Sequence, residues 1–243
     1  MFIKREISFQ EGLILLKNNK RILVIAAHPD DEILGCGGTV KRLVDEGYNA
    51  YTLILGEGVT SRDDSRDRAK REKELSDLKR QVDEANHLIG VENTFLYDFP
   101  DNRFDTVPLL EIVKVIEKIK SELKPDIVFT HYENDLNIDH QITYKAVMTA
   151  TRPQLNEPVK EIYSFEVLSS TEWNYPLSFS PDVFFDIRKS IESKVKAMGT
   201  YKSEIREYPL PRYLEAIELN AKNWGMKVGL DYAEAFKTVR VLK

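Results

Sequence analysis

Ionisable side chains crowd two short stretches of this sequence, and each stretch directly follows an apolar segment. Residues 27–32 read Ala-His-Pro-Asp-Asp-Glu, and residues 131–140 begin and end with histidine. A histidine and three carboxylates at the end of a buried strand would be costly without a ligand. Histidine and carboxylate are common metal ligands, so the two stretches together predict one metal site built from two strand ends.

His28, Asp31 and His140 would offer a metal ion two imidazoles and one carboxylate. Three protein ligands leave one position open for water, an arrangement typical of catalytic rather than structural zinc. Zinc also lowers the pKa of such a water to about 7, so hydroxide becomes available at neutral pH. We therefore expect one Zn²⁺ per chain, although another divalent metal could occupy the same ligands.

A hydrolytic site of this kind also needs a base that takes a proton from the water. Asp30 is the natural candidate, because adjacent residues in an extended turn point in different directions and Asp31 is a ligand. Glu32 could hydrogen-bond to a metal ligand and so orient it without touching the metal, or it could lie at the start of the next helix. The simpler alternative is that Asp30 and Asp31 cap a helix after a proline turn. The adjacent His28 and the second cluster favour the metal site.

A second alternative for this loop is nucleotide binding, because Gly35, Gly37 and Gly38 follow a strand and precede a helix. The spacing of the dinucleotide fingerprint fails, since Val40 stands where Gly or Ala is required. Acidic residues would also repel an approaching pyrophosphate. We expect these glycines instead to let the backbone turn and to let the helix pack closely against the sheet.

The elements that must position these side chains alternate along the chain. Apolar runs predict strands at 22–27, 51–55, 94–97, 127–130, 162–167 and 183–187. Helical spacing of apolar residues predicts helices at 37–46, 66–89, 108–123, 139–151, 188–201 and 212–224. This alternation predicts an α/β fold with a mostly parallel sheet and helices on both faces. Such sheets bind ligands at the carboxyl ends of their strands, where both clusters fall.

Composition limits the function classes. The chain has 243 residues, enough for one large or two small domains, and a formal net charge of −5 argues against nucleic-acid binding. Its single cysteine, Cys36, excludes an intrachain disulfide and a multi-thiolate metal site. No run approaches the roughly 18 apolar residues of a membrane-spanning helix. Residues 1–10 carry scattered charges, so we expect no signal peptide and a cytoplasmic protein.

Three segments of the sequence resemble one known family. Residues 27–32 reproduce the A-H-P-D-D-E signature of the PIG-L (LmbE-like) zinc deacetylases, and Asp139-His140 resembles the pair that ends their second motif. Residues 98–103 are similar to a family segment that lines the site. The resemblance covers about 21–152 and is loose over 160–243, the part that usually decides substrate choice. It implies a single deacetylase domain over 1–243, with a Rossmann-like three-layer α/β/α fold.

The resemblance also implies residue roles. It assigns zinc to His28, Asp31 and His140 and the general base to Asp30, and it places Asp139 in the catalytic motif. Many family members carry a histidine three positions before the last one, and this chain has Asn137 there. An amide can donate a hydrogen bond to an oxyanion but cannot deliver a proton.

The missing histidine leaves the general acid open. His131 could take that role, or Asp30 could return its proton to the leaving amine. Candidates for contacts with sugar hydroxyls are Asp101, Asn102 and Arg103. Arg80 and Arg62 could meet a phosphate, although a solvated surface charge is the simpler interpretation of each.

We therefore expect a zinc-dependent hydrolase that removes the acetyl group from an N-acetylated amino sugar similar to N-acetylglucosamine (GlcNAc), free or conjugated. Two alternatives stay open. One is an amidase that acts on a non-acetyl amide, and the other is a non-catalytic sugar- or nucleotide-binding module on the same fold. The expected partner is a small molecule, with no nucleic acid and no membrane insertion. The aromatic C-terminal part leaves a homo-oligomer open.

Overall fold

The computed structural model describes residues 20–243, which contain seven strands and six helices. The strands are β1 (Arg21–Ala26), β2 (Asn49–Gly56), β3 (Asn93–Phe99), β4 (Ile127–His131), β5 (Glu161–Phe165), β6 (Val183–Asp186) and β7 (Ala233–Val241). The helices are α1 (Asp31–Asp45), α2 (Glu72–Leu88), α3 (Leu109–Leu123), α4 (Ile138–Ala150), α5 (Ile191–Met198) and α6 (Leu214–Val228). The expectation for residues 1–10 lies outside the described range.

All seven strands join one sheet in the order β3-β2-β1-β4-β5-β7-β6. The first five strands of this order are parallel, and β7 runs antiparallel to both β5 and β6. The strand order reverses between β1 and β4, which is the point where open α/β sheets form ligand-binding crevices. The predicted mostly parallel α/β fold is confirmed. Among the helices of residues 20–243, none is long and apolar enough to span a bilayer.

The central strand β1 shows why both faces of the sheet carry helices. Ile22 and Val24 belong to an apolar cluster that includes residues of α1 and α2, whereas Leu23 and Ile25 pack in a second cluster with α3 and α4. Side chains alternate between the faces of a strand, and a parallel sheet covered on both faces needs apolar residues at every position. All six predicted strands form, and β3 and β6 at the two edges of the sheet are half-buried.

Helix α1 begins earlier than predicted. The sequence placed its start at residue 37, but the helix starts at Asp31, so the glycines at 35, 37 and 38 lie within it and make no turn. The turn comes instead from Asp30, whose φ of 103° redirects the chain out of β1. Asp31 and Glu32 then occupy the first helical turn, where the helix dipole favours negative charge. The predicted close packing holds, because Gly35 lies directly against the Phe165 ring.

Strand β7 was not predicted, because Glu234, Lys237 and Arg240 interrupt its apolar pattern. In the structure Glu234 is buried, and its carboxylate has both an ion-pair partner and hydrogen-bond donors. Its carboxylate lies 2.5 Å from Lys194 Nζ on α5 and accepts hydrogen bonds from the backbone N–H groups of Gly38 and Thr39, at 2.9 and 2.6 Å. A buried ion pair of this kind requires such additional hydrogen bonds. It fastens the C-terminal strand to the helix that begins at the predicted metal site.

Candidate metal centre

The three predicted metal ligands meet at the carboxyl ends of β1 and β4. His28 follows β1, Asp31 is the first residue of α1, and His140 lies in the first turn of α4. One ligand atom from each of these residues lies within 4.8 Å of the others. Asp31 and His140 are buried and His28 is nearly so, which keeps the group out of bulk water. The switch point of the sheet thus gathers the residues that the sequence placed at two separate strand ends.

The spacing of these atoms fits a divalent cation. Asp31 Oδ2 lies 3.4 Å from His28 Nδ1 and 3.3 Å from His140 Nε2. Ligand atoms at the usual N and O distances from a tetrahedral zinc ion lie about 3.4 Å from one another. The second oxygen, Asp31 Oδ1, is buried and has no hydrogen-bond partner among residues 20–243. A cluster of two imidazoles and one incompletely satisfied carboxylate is a donor set that zinc accepts.

Each ligand histidine is oriented by a buried carboxylate behind it. His28 Nε2 donates to Asp139 Oδ2 at 2.9 Å, and Asp139 Oδ1 accepts from the Phe104 N–H at 2.9 Å. His140 Nδ1 lies 3.1 Å from Asp135 Oδ1. These contacts turn the other nitrogen of each ring toward Asp31, as carboxylate–histidine–metal arrangements do. The structure thus places Asp139, predicted within the catalytic motif, behind His28 and outside the cavity wall.

Asp135 lay inside the predicted second cluster, but no sequence signal distinguished it from its polar neighbours. It is fully buried and accepts hydrogen bonds from the hydroxyls of Ser170 and Thr171 and from the Asn137 N–H. Burial alone would raise the pKa of Asp135, but His140 and the two hydroxyls lower it to about 2. Burial also opposes the charge on His140, yet Asp31 and Asp135 raise the His140 pKa to about 9.

Asp30 adopts a backbone conformation that an aspartate rarely takes. Its φ of 103° lies in the region that favours glycine, at a cost of roughly 1–3 kcal/mol. Two contacts hold it there: its N–H donates to Glu32 Oε2 at 3.0 Å, and Arg212 Nη1 donates to its Oδ2 at 2.7 Å. Burial raises the pKa of Asp30 well above its usual value, and the Arg212 charge opposes that rise.

Of the two positions considered for Glu32, the structure shows the start of the next helix. It lies in the first turn of α1, and its carboxylate supports the Asp30 turn from behind. Asn86 Nδ2, at 3.0 Å, and the Tyr201 hydroxyl both donate to Glu32 Oε1. Burial raises the pKa of Glu32 to about 7 despite the hydrogen bond from Tyr201.

His131 is fully buried at the end of β4. Its Nε2 accepts the Ala27 N–H at 2.8 Å, and its ring stacks on His140 with 3.9 Å between centroids. Burial and the neighbouring His140 lower the pKa of His131 to about 3, so the ring is neutral near pH 7. The predicted acid role requires a proton facing the substrate, but His131 is not among the residues that line the cavity described next.

A cavity of about 270 Å³ opens over the three ligands. Four further predicted site residues line it: Asp30, Asp101, Asn102 and Asn137. Asn137 caps α4, because its Oδ1 accepts the Asp139 N–H at 2.8 Å, and its Nδ2 donates to Asn102 Oδ1 at 2.8 Å. The wall also contains polar residues that were not predicted for the site: Ser61, Glu204, Arg206 and Arg212. The last three come from the C-terminal part, where the sequence carried no motif.

Two predicted substrate-binding residues do not reach the cavity wall. The Arg80 side chain is 77% exposed on α2 and pairs with Asp77, one turn away. The Arg103 guanidinium donates to the carbonyl oxygens of Asp63 and Asp64, which commits it to the neighbouring loop. Arg62, which we had expected to be a solvated charge, instead lines the cavity and pairs with Glu204 at 2.6 Å.

The family model for PIG-L, described as GlcNAc-PI de-N-acetylase, matches residues 23–151, more than half of the chain. This chain belongs to the PIG-L family. The match contains all three ligands of the metal cluster and both residues that orient the histidines. The resemblance noted from the A-H-P-D-D-E signature is therefore confirmed.

Individual relatives agree with this family. The chain is 30% identical over 201 residues to the uncharacterized deacetylase YaiS of Escherichia coli, covering 79% of this chain and 97% of that protein. It is 28% identical to the diacetylchitobiose deacetylase of Thermococcus kodakarensis, covering 90% and 83%. The structure of the conserved protein TT1542 from Thermus thermophilus superposes with a TM-score of 0.71 at 25% identity, covering 91% and 96%. Family and relatives indicate a deacetylase.

Removing one ligand histidine tests the cluster directly. We expect His140→Ala to abolish high-affinity zinc binding, because one imidazole and the geometry it sets are lost. Isothermal titration of metal-free protein with zinc measures this, and His87→Ala serves as the control since His87 is exposed on α2. Full zinc content in the His140→Ala protein would remove this residue from the ligand set.

Asp135, the carboxylate beside His140, should raise the zinc affinity of the site without itself binding the metal. We expect Asp135→Asn to retain a stoichiometric site with zinc affinity lowered about 10- to 100-fold, the usual cost of removing such a partner. Competition with a fluorescent chelator measures the change. Asp126→Asn is the control, since that carboxylate accepts the Arg21 N–H at the opposite end of the sheet. Equal affinity in Asp135→Asn and wild type would contradict an orienting role.

Proposed function

We propose that this PIG-L family chain is a zinc-dependent N-deacetylase that hydrolyses the acetamide of an N-acetylated amino sugar. The observation that supports this most directly is the common cavity of the His28–Asp31–His140 cluster and the Asp30 carboxylate. A metal ligand set beside a separate carboxylate offers the Lewis-acid site and the general base that metal-assisted amide hydrolysis can use. The names of the deacetylase relatives support the same reaction, and the diacetylchitobiose enzyme supports an amino-sugar substrate.

In this proposal Asp30 takes a proton from the attacking water and later returns it to the leaving nitrogen. Bound zinc would supply Lewis-acid polarisation of the acetamide and acidify the attacking water. Asp30 takes one proton as the water oxygen bonds to the carbonyl carbon. It then delivers that proton to the nitrogen as the C–N bond breaks. The products are the free amine and acetic acid, which ionises to acetate.

Asp30 acts as both base and acid in this proposal, because His131 lies outside the cavity wall with one nitrogen occupied by the Ala27 N–H. We assign His131 to packing beneath His140. The Asn137 amide, which lines the cavity, is the donor that we assign to the oxyanion. Asp101 and Asn102 line the same wall and would meet the sugar hydroxyls. A cytoplasmic location follows only from the sequence and stays an expectation.

Product analysis separates this proposal from its alternatives. Zinc-loaded protein is incubated with N-acetylglucosamine, N,N′-diacetylchitobiose and their N-propionyl analogues, and free amine and acetate are quantified. Equimolar amine and acetate from the acetyl compounds supports the N-deacetylase. Release from the propionyl compounds alone indicates a non-acetyl amidase, and tight binding without turnover indicates a non-catalytic module.

Replacing Asp30, the proposed base, should lower the catalytic rate without changing the zinc content. We expect Asp30→Asn to retain its zinc and to lose roughly 10²–10⁴-fold in kcat, the usual contribution of a general base. Steady-state kinetics together with metal analysis of the same preparation provide the measurement. If kcat stays within a few-fold of wild type, another group takes the proton, and the Glu32→Gln variant is examined next.

A further inference from the structure

We propose that Arg212 is a positioning residue for the Asp30 carboxylate. The inference rests on the proposed function, since it concerns the orientation of the group that takes the proton. Arg212 comes from the C-terminal part of the chain, 182 residues beyond Asp30, and lies outside the 23–151 family match. No motif or spacing in the sequence singles it out.

The contact between the two side chains is short and shielded. Arg212 Nη1 lies 2.7 Å from Asp30 Oδ2, and the two side chains are only 18% and 2% exposed. Charge-assisted hydrogen bonds between guanidinium and carboxylate groups are strong and directional. The other oxygen, Asp30 Oδ1, accepts no hydrogen bond from any residue in the described range 20–243. Arg212 thus fixes the position of Asp30 Oδ2 and leaves Asp30 Oδ1 available to accept the proton from water.

Asp30 needs such a restraint because its backbone does not supply one. The residue lies at positive φ, and its one other hydrogen bond to a side chain of residues 20–243 runs from its N–H to Glu32 Oε2. That bond involves the peptide N–H and makes no contact with the Asp30 carboxylate. A base must lie within hydrogen-bond reach of the water, and a misplacement of about 1 Å can cost 10²-fold in rate.

Arg212 is itself held in place. Its Nε donates to the Leu168 carbonyl at 3.2 Å, and its own carbonyl accepts the Arg206 N–H at 3.1 Å. The second bond closes the loop 206–212, whose two end residues both line the cavity. A guanidinium anchored at Nε and directed through Nη1 has a fixed orientation, which a lysine ammonium on a flexible stem would lack.

Kinetics and chemical rescue test the proposal on the zinc-loaded, full-length enzyme. We expect Arg212→Ala to lower kcat about 10²-fold, with KM within a few-fold of wild type and zinc content unchanged. Guanidinium chloride, far below denaturing concentrations, should restore much of the lost kcat by filling the vacated position. Arg240→Ala is the matched control, because Arg240 donates to the Thr151 and Val159 carbonyls away from the site. Guanidinium should not change its kcat.

A double-mutant cycle identifies the group through which Arg212 acts. In the Asp30→Asn background, adding Arg212→Ala should cost no further activity, since the carboxylate to be positioned is already gone. Additive losses, or a raised KM with unchanged kcat, would overturn the proposal and assign Arg212 to the substrate. Arg212→Lys retains the charge if the alanine variant folds poorly, and it should also lose kcat without losing zinc.

The two proposals fail in different ways. Absence of amine release by zinc-loaded wild type, or unchanged kcat in Asp30→Asn, contradicts the proposed function. Wild-type kcat in Arg212→Ala, while Asp30→Asn is inactive, overturns only the positioning role.

Discussion

The Asp31 carboxylate is the buried negative charge around which the site is built. Its Oδ2 lies 3.4 Å from His28 Nδ1 and 3.3 Å from His140 Nε2. A buried charge is tolerated only with compensating partners, so the strands and helices that carry these rings must converge on this point. The switch point between β1 and β4 is where the sheet can bring them together.

The groups behind the three predicted ligands explain how the protein itself fixes the arrangement of these side chains. Asp139 and Asp135 set the direction of the two ligand imidazoles, and the low pKa of Asp135 keeps it charged against His140. Tyr201 and Arg212 add support from the C-terminal part of the chain, through Glu32 and Asp30 respectively. The motif-bearing part therefore supplies the ligands, but it does not hold the site together alone.

The sequence predicted what depends on local pattern. Apolar runs located six of the seven strands, and the residue types in the two segments that follow β1 and β4 predicted the cluster of His28, Asp31 and His140 that the structure brings together. Contacts made by distant segments left no such pattern. The interruption of β7 by Glu234 makes sense only once Lys194 lies beside it, and the start of α1 depends on a positive φ at Asp30. Arg212 is an ordinary surface-type residue in the sequence, and only folding brings it to the cavity.

The cavity over the three predicted ligands would be shared by the two proposed occupants of the site, an ion and a substrate. All three ligands face the same cavity, and the side chains behind them, His131, Asp135 and Asp139, have no exposed surface. In the proposed function, an ion that enters through this cavity uses the route that the substrate would use. A sugar bound there would cover that route, so a chelator would remove zinc more slowly from the substrate-bound protein than from the free protein. Metal occupancy during turnover would then depend on exchange rates as much as on affinity.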